Sequence, residues 1–353
     1  MQHFPVGLCL FWSLMILPLD AGAFSEEDLA SLKTTGNCPR CDLNGANLRM
    51  ANLKETNLSE ADLAGAILYD ANLIASDLTA ANLAETDLTK ADLRRADLSW
   101  SNLTRANLSE ADLREANLRA VDLRHANLTK ARLRAVDLRR ANLTKANLTG
   151  SKLMRANLTE ANLTEANLRG VNLSKGNLTR ANLTKANLTD AILIGTILIR
   201  SVLTDATIKK STLKHVFLCN TTLSDGKVSE CNLSGADLSG IDLFREKLTR
   251  ADLSATNLAW VNLTWADLSW SNLSRANLSE ADLHAANLNG ANLNEAILSG
   301  ADLSNAYLRG ANLNKANLRH ANIRNADLVG ANLEGAYFCK TTMPDGSMNN
   351  TGC

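Results

Sequence analysis

Aromatic residues are scarce. They make up 4% of a chain that is 45% hydrophobic overall. A core that fills irregular space draws on bulky rings, so the interior implied here is narrow and uniform. Net charge is also absent, with 37 Lys and Arg against 37 Asp and Glu. A balanced chain is neither a strongly basic nucleic-acid binder nor a strongly acidic mimic of nucleic acid, and no nucleic-acid partner is expected. Histidines are few and scattered, at His125, His215, His284 and His320 beyond the first residues. No grouping of nucleophile, base and oxyanion donors emerges. The chain is therefore read as a non-enzyme, with no catalytic residue, no metal site and no cofactor.

Long apolar runs are missing except at the start. Val6 to Leu19 is nearly unbroken apolar chain, followed by the small residues Ala21-Gly22-Ala23. This reads as a secretory signal over residues 1–23, cleaved before Phe24. It is too short for a confident membrane span, so no membrane anchor is expected after cleavage. Export to the periplasm or outside the cell follows. Six cysteines remain after the signal: Cys38, Cys41, Cys219, Cys231, Cys339 and Cys353. An even number in an exported chain points to disulfides.

What the sequence has in abundance is one repeated unit. From Leu43 to Met343 every fifth residue is large and apolar, sixty-one positions in all. Only Ile208, Val228, Ile323, Phe338 and Met343 are not leucine. A small residue, mostly Ala, sits two before each leucine, and Asn or Asp usually sits one before it. Period five fits neither the 3.6 of a helix nor the 2 of a strand. A coil with one leucine at the centre of each flat side turns every leucine and alanine inward and the polar residues outward.

Runs such as Ala106-Asn107-Leu108-Ser109-Glu110 and Ala251-Asp252-Leu253-Ser254-Ala255 resemble the pentapeptide-repeat family, and the resemblance covers about 300 residues. It implies an all-β solenoid, a right-handed quadrilateral β-helix with four pentapeptides per coil. Roughly fifteen coils at about 4.8 Å each would make a rod about 70 Å long. It also points to a bacterial source; in a cyanobacterium the thylakoid lumen is a further destination.

The ends and the middle differ from the repeat. Ser25 to Leu32 reads as a short capping helix, with Ser25 as the cap and Asp28 at the third position of a capping box. Residues 24–37 are assigned to this helix and its linker. The C-terminal run Phe338-Cys339-Lys340-Thr341-Thr342-Met343-Pro344-Asp345-Gly346, ending in Cys353, resembles the closing motif of some exported members of the family. A near copy lies mid-chain at Leu218-Cys219-Asn220-Thr221-Thr222-Leu223-Ser224-Asp225-Gly226. Residues 38–218 are therefore read as a first module, 219–231 as a seam, and 232–353 as a second module. Local disulfides Cys38–Cys41, Cys219–Cys231 and Cys339–Cys353 are expected. Glu246 falls on an inward alanine position, where an unpaired charge is costly.

Three surface features are candidates for binding. Ile192, Ile194, Ile197, Ile199 and Val202 stand at outward positions that are elsewhere polar, and Phe217 lies one coil above Ile197. This patch suits a protein partner or a homodimer contact, or a cover supplied by the seam. Trp260, Trp265 and Trp270 share the outward position two after the leucine, forming a belt that either binds a partner or packs on the corners of neighbouring coils. Arg94, Arg114 and Arg134 recur every twenty residues, in a segment with twelve basic and seven acidic residues over 91–150. They are either a solvated mixed face or a polyanion or polysaccharide site. The leading functional expectation is an exported scaffold or protein-binding module whose partner is not identified. An alternative comes from the resemblance, since some members mimic DNA and bind topoisomerases, conferring quinolone resistance. That type is intracellular and markedly acidic, unlike this chain.

Overall fold

The computed structural model describes residues 24–353, so the expected signal lies outside the described residues. It begins with helix α1, Glu26–Thr35. The Ser25 hydroxyl accepts the Asp28 N–H at 3.1 Å, and Gly36 ends the helix in the left-handed region at φ 69°. Leu29 and Leu32 are buried against the first coil. The Asp28 carboxylate does not complete a capping box. It accepts the Asp42 N–H at 2.8 Å, while the Ser25 N–H donates to the Asp42 carbonyl at 3.0 Å. The helix is thus bonded to the coil that it covers.

From Asn37 onward the backbone forms parallel bridges between residues twenty apart, beginning with Asn37–Asn57. Twenty residues per coil is four pentapeptides, hence four sides. One repeat shows why the composition is what it is. The Leu103 N–H donates to the Asp122 carbonyl at 2.7 Å, the Arg105 N–H to Arg124 at 2.9 Å, and the Asn102 N–H to Ala81 at 3.0 Å. The corner is a turn in which the Ala106 N–H donates to the Leu103 carbonyl at 3.1 Å and Arg105 is left-handed, at φ 57°. That conformation costs about 1–2 kcal/mol in a non-glycine residue; the Arg105 inter-coil bond offsets it.

Asn102 has two roles. Its Oδ1 accepts the Thr104 N–H at 3.1 Å and the Thr104 hydroxyl at 2.8 Å, shaping the corner. Its Nδ2 donates to Asn82 Oδ1 one coil below at 3.0 Å. The leucines and alanines are buried throughout the interior, and each buried leucine contributes about 1.5–3 kcal/mol of transfer free energy.

The first ladder of bridges ends at Val202–Thr222 after about nine coils. Ile208, Leu213 and Val216 fold over its end, with Lys210–His215 in a single 3-10 turn. The chain then doubles back in a hairpin: Thr222 pairs antiparallel with Val228, and Leu218 with Asn232. A Cys219–Cys231 disulfide closes it. A second ladder starts at Asn232–Asp252 and runs to Asn322–Thr342. It ends in the same device. Strands β1, Thr341–Thr342, and β2, Met348–Asn349, pair antiparallel beside a Cys339–Cys353 disulfide. In both hairpins a buried threonine hydroxyl, on Thr221 or Thr341, donates to a leucine carbonyl of the coil beneath, Leu198 or Leu318.

The coils do not stack as one continuous rod. The interior divides into two hydrophobic cores. Val228 keeps the count of five but is exposed, because it lies in the hairpin rather than in a coil. The second ladder does not stand on the first. Its base rests on the first ladder's flank, and Arg119 lines a cleft together with Ser239 and Gly240. Four coils separate Arg119 from Ile199, roughly 19 Å at 4.8 Å per coil, so coaxial stacking would keep these groups apart. Among the described residues no helix is long and apolar enough to cross a membrane.

Candidate functional site

The junction of the two ladders gathers more unusual chemistry than any coil. A β-helix base needs a cover over its inward leucines. At the second ladder, Leu233, Leu238, Leu243 and Leu248 receive it from outward residues of the first: Ile197 at 5% exposure, Ile199 at 0%, and Phe217. The outward apolar patch foreseen in the sequence is thus divided. Ile192 and Ile194 remain exposed, Val202 is half-buried, and Ile197 and Ile199 are enclosed by the chain's own second ladder. The exposure expected of those two isoleucines is corrected on that ground.

Polar contacts fix the same interface. Asn220 Nδ2 donates to the Lys247 carbonyl at 2.9 Å, and Arg180 Nη2 to the Phe244 carbonyl at 3.3 Å. Glu246, fully buried, meets two guanidinium groups: Arg200 Nη1 donates to Oε2 at 3.2 Å, and Arg180 forms an ion pair with Oε1. Arg180 also reaches Glu160 at 3.3 Å, which Arg140 holds from the other side at 2.8 Å. A chain of alternating charge, Arg140–Glu160–Arg180–Glu246–Arg200, therefore crosses the junction. The Arg140 hydrogen bond lowers the Glu160 carboxyl below the usual glutamate range against the effect of burial, with the charges of Arg140 and Arg180 adding to it.

Below this contact the two ladders enclose a cleft of about 450 Å³. Arg119, Arg139, Arg140, Arg155 and Lys175 line one wall; Asp237, Ser239 and Asp242 line the other. Arg139 is held by Asp137 at 2.9 and 2.5 Å. Burial raises the Asp137 carboxyl, but the hydrogen bonds from Arg139 outweigh it and leave it lowered.

Elsewhere the expected residues take these places. Trp260, Trp265 and Trp270 are exposed at successive corners of one coil, all left-handed, at φ 56°, 60° and 58°. Trp265 meets His284 edge-on at 6.4 Å between ring centroids, and the Trp270 ring lies over Gly290. Trp100 occupies the same repeat position and is also exposed, which the sequence reading passed over. Arg94, Arg114 and Arg134 line one void together with Arg95 and Lys54. Arg94 is held by Asp92 at 2.7 Å and Arg114 by Asp112 at 2.6 Å, each within its own repeat, so the arginine ladder is partly neutralised. Cys38 and Cys41 form a disulfide beside Asp28. With the two sulfurs joined, neither is a thiolate that could ligate a metal.

The partners of Glu246 escaped the sequence reading. An inward Glu demands a cation, and Arg180 and Arg200 share one corner twenty residues apart, but only the bend brings them to it.

The model for pentapeptide repeats (8 copies) matches overlapping segments from residues 41–79 through 301–338. The chain belongs to the pentapeptide-repeat family. Solved structures of pentapeptide-repeat proteins are similar to it. Rfr23 from the cyanobacterium Cyanothece 51142 is 34% identical, covering 31% of this chain and 89% of that one, with a TM-score of 0.31. HetL, involved in heterocyst differentiation regulation in the cyanobacterium Nostoc sp. strain PCC 7120, is 34% identical, covering 76% and 91%, with a TM-score of 0.21. A thylakoid-lumen protein of Arabidopsis thaliana is 32% identical, covering 35% and 82%, with a TM-score of 0.21. No curated protein matches the chain.

Proposed function

We propose that this pentapeptide-repeat chain is an exported, non-catalytic scaffold that winds as a right-handed quadrilateral β-helix and binds a protein partner. Its two ladders act as separate modules, joined rigidly at the flank. The observation that carries the binding role is the set of three exposed tryptophans at successive corners of one coil. Tryptophan is enriched where interfaces concentrate their energy, and a rigid backbone removes much of the ordering cost of association. Exposed Ile192 and Ile194 extend the apolar surface on the first ladder.

The test compares affinity capture by the mature protein, residues 24–353, with capture by a Trp260→Ala/Trp265→Ala/Trp270→Ala variant. A partner captured by the parent and lost from the variant is the expected result. An unchanged set of captured proteins would remove the belt from the binding surface. Amino-terminal sequencing of the protein from an extracytoplasmic fraction should begin at Phe24.

A further inference from the structure

The cleft at the junction holds more positive charge than its own carboxylates neutralise. Arg139 and Arg140 are committed to Asp137 and Glu160. Arg155 and Lys175 stand on one corner of adjacent coils, and neither makes an ion pair or side-chain hydrogen bond among the described residues; nor does Arg119 on the neighbouring side. Like charges stacked one coil apart repel. The acidic wall offsets them only in part: the Lys175 charge helps to lower the Asp237 carboxyl, but the two form no ion pair. Asp237 Oδ1 accepts the Ser239 hydroxyl at 2.8 Å and Asn257 Nδ2 at 2.9 Å, and Asp242 Oδ1 accepts the Phe244 N–H and Asn262 Nδ2, both at 3.0 Å.

The crease also continues. A second void shares Arg155, Lys175 and Asp237 with the first and ends on Phe217. The two together offer a cationic centre with an apolar end. We propose that this crease binds a small organic or inorganic polyanion bearing at least two phosphate or sulfate groups. One group would bridge Arg155 and Lys175, and the second would meet Arg119. Guanidinium forks match such oxyanions geometrically, and the void has the size of a small-molecule site. The proposal is independent of the protein partner suggested above.

The experiment is calorimetric titration of the mature protein with inorganic pyrophosphate and, separately, with a sulfated disaccharide. Saturable one-to-one binding is expected for at least one probe, and the probe that binds identifies phosphate or sulfate as the preferred group. Arg155→Ala/Lys175→Ala should weaken it about a hundredfold or more, the loss expected from two charge-assisted contacts. Neither side chain is buried in a core, and circular dichroism checks that the coils stay intact. Arg250→Ala/Lys315→Ala, two cations elsewhere on the second ladder, should leave binding unchanged. Absence of saturable binding by both probes overturns the proposal. So does equal loss in the two double variants, which would mean diffuse charge attraction without a site.

Discussion

Replacing Arg180 and Arg200 together by alanine should destabilise the second ladder more than replacing Glu246 by alanine. The asymmetry comes from burial. Glu246 is 0% exposed, whereas Arg180 and Arg200 are 31% and 47% exposed. Without both arginines, a carboxylate is left in the interior with no cation, and breaking a buried pair in this way costs about 3–5 kcal/mol. Without Glu246, the two guanidinium groups turn to water. The lost charge-assisted bonds, about 1.5–3 kcal/mol, are then largely offset because a charge no longer has to be desolvated. Alanine is also the residue that most other coils carry at this inward position. The expected net cost of Glu246→Ala is therefore about 0–2 kcal/mol. Denaturant titration followed by tryptophan fluorescence measures both in a protein of residues 24–353 carrying Trp100→Phe, where every remaining tryptophan lies in the second ladder. Small-angle scattering reports the angle between the ladders. A Glu246→Ala variant less stable than the double arginine variant would refute the reasoning.

Acid should loosen the same junction. Hydrogen bonding to Arg140 lowers the Glu160 carboxyl, so its contribution is complete above the ordinary glutamate value of about 4.3 and is lost as pH falls below that value through the folded one. The maximum dimension in scattering should rise as pH falls below about 4.3; a constant value on such acidification would exclude Glu160 from holding the ladders together. On the second ladder, Gly290→Ala should shift tryptophan emission to the red and Gly310→Ala should not. An added Cβ at Gly290 meets the Trp270 ring at 2.6–2.8 Å, whereas at Gly310 it meets nothing within 4 Å. Both residues are left-handed, at φ 66° and 65°, so a backbone effect alone would treat them equally.

The coil itself was legible because each of its forces has a residue type attached. Leucine at every fifth position marks the interior, and Asn or Asp before it marks both the corner bond and the side-chain ladder, as Asn102 does. The closing hairpins were legible as near copies with paired cysteines. The interruption also had a signal beyond the cysteines. Between Asn187 and Asn232 no residue preceding the repeat's apolar position is Asn or Asp, so the ladder of side-chain bonds lapses across that segment. The leucine count masked this, since five-residue spacing survives in the hairpin although Val228 points to solvent. The bend was not legible. Ile197 and Ile199 announce that something apolar covers them, but one chain's sequence does not say whether the cover is another protein or its own next segment. The cleft follows from the bend and shares its opacity.

The closing hairpin at Cys219–Cys231 has a consequence for what shapes such a chain can take. A stack of identical coils is a one-dimensional object: adding repeats changes its length and nothing else. Once a coil can be terminated by a short hairpin and a new stack can be seated sideways on two isoleucines and a pair of arginines, the same pentapeptide alphabet can write branches and angles. The number of repeats before each hairpin sets arm length, and the side chosen for the seat sets direction. A few outward substitutions on an existing arm then suffice to move the next one, so overall shape becomes heritable in a handful of surface residues while the interior stays untouched.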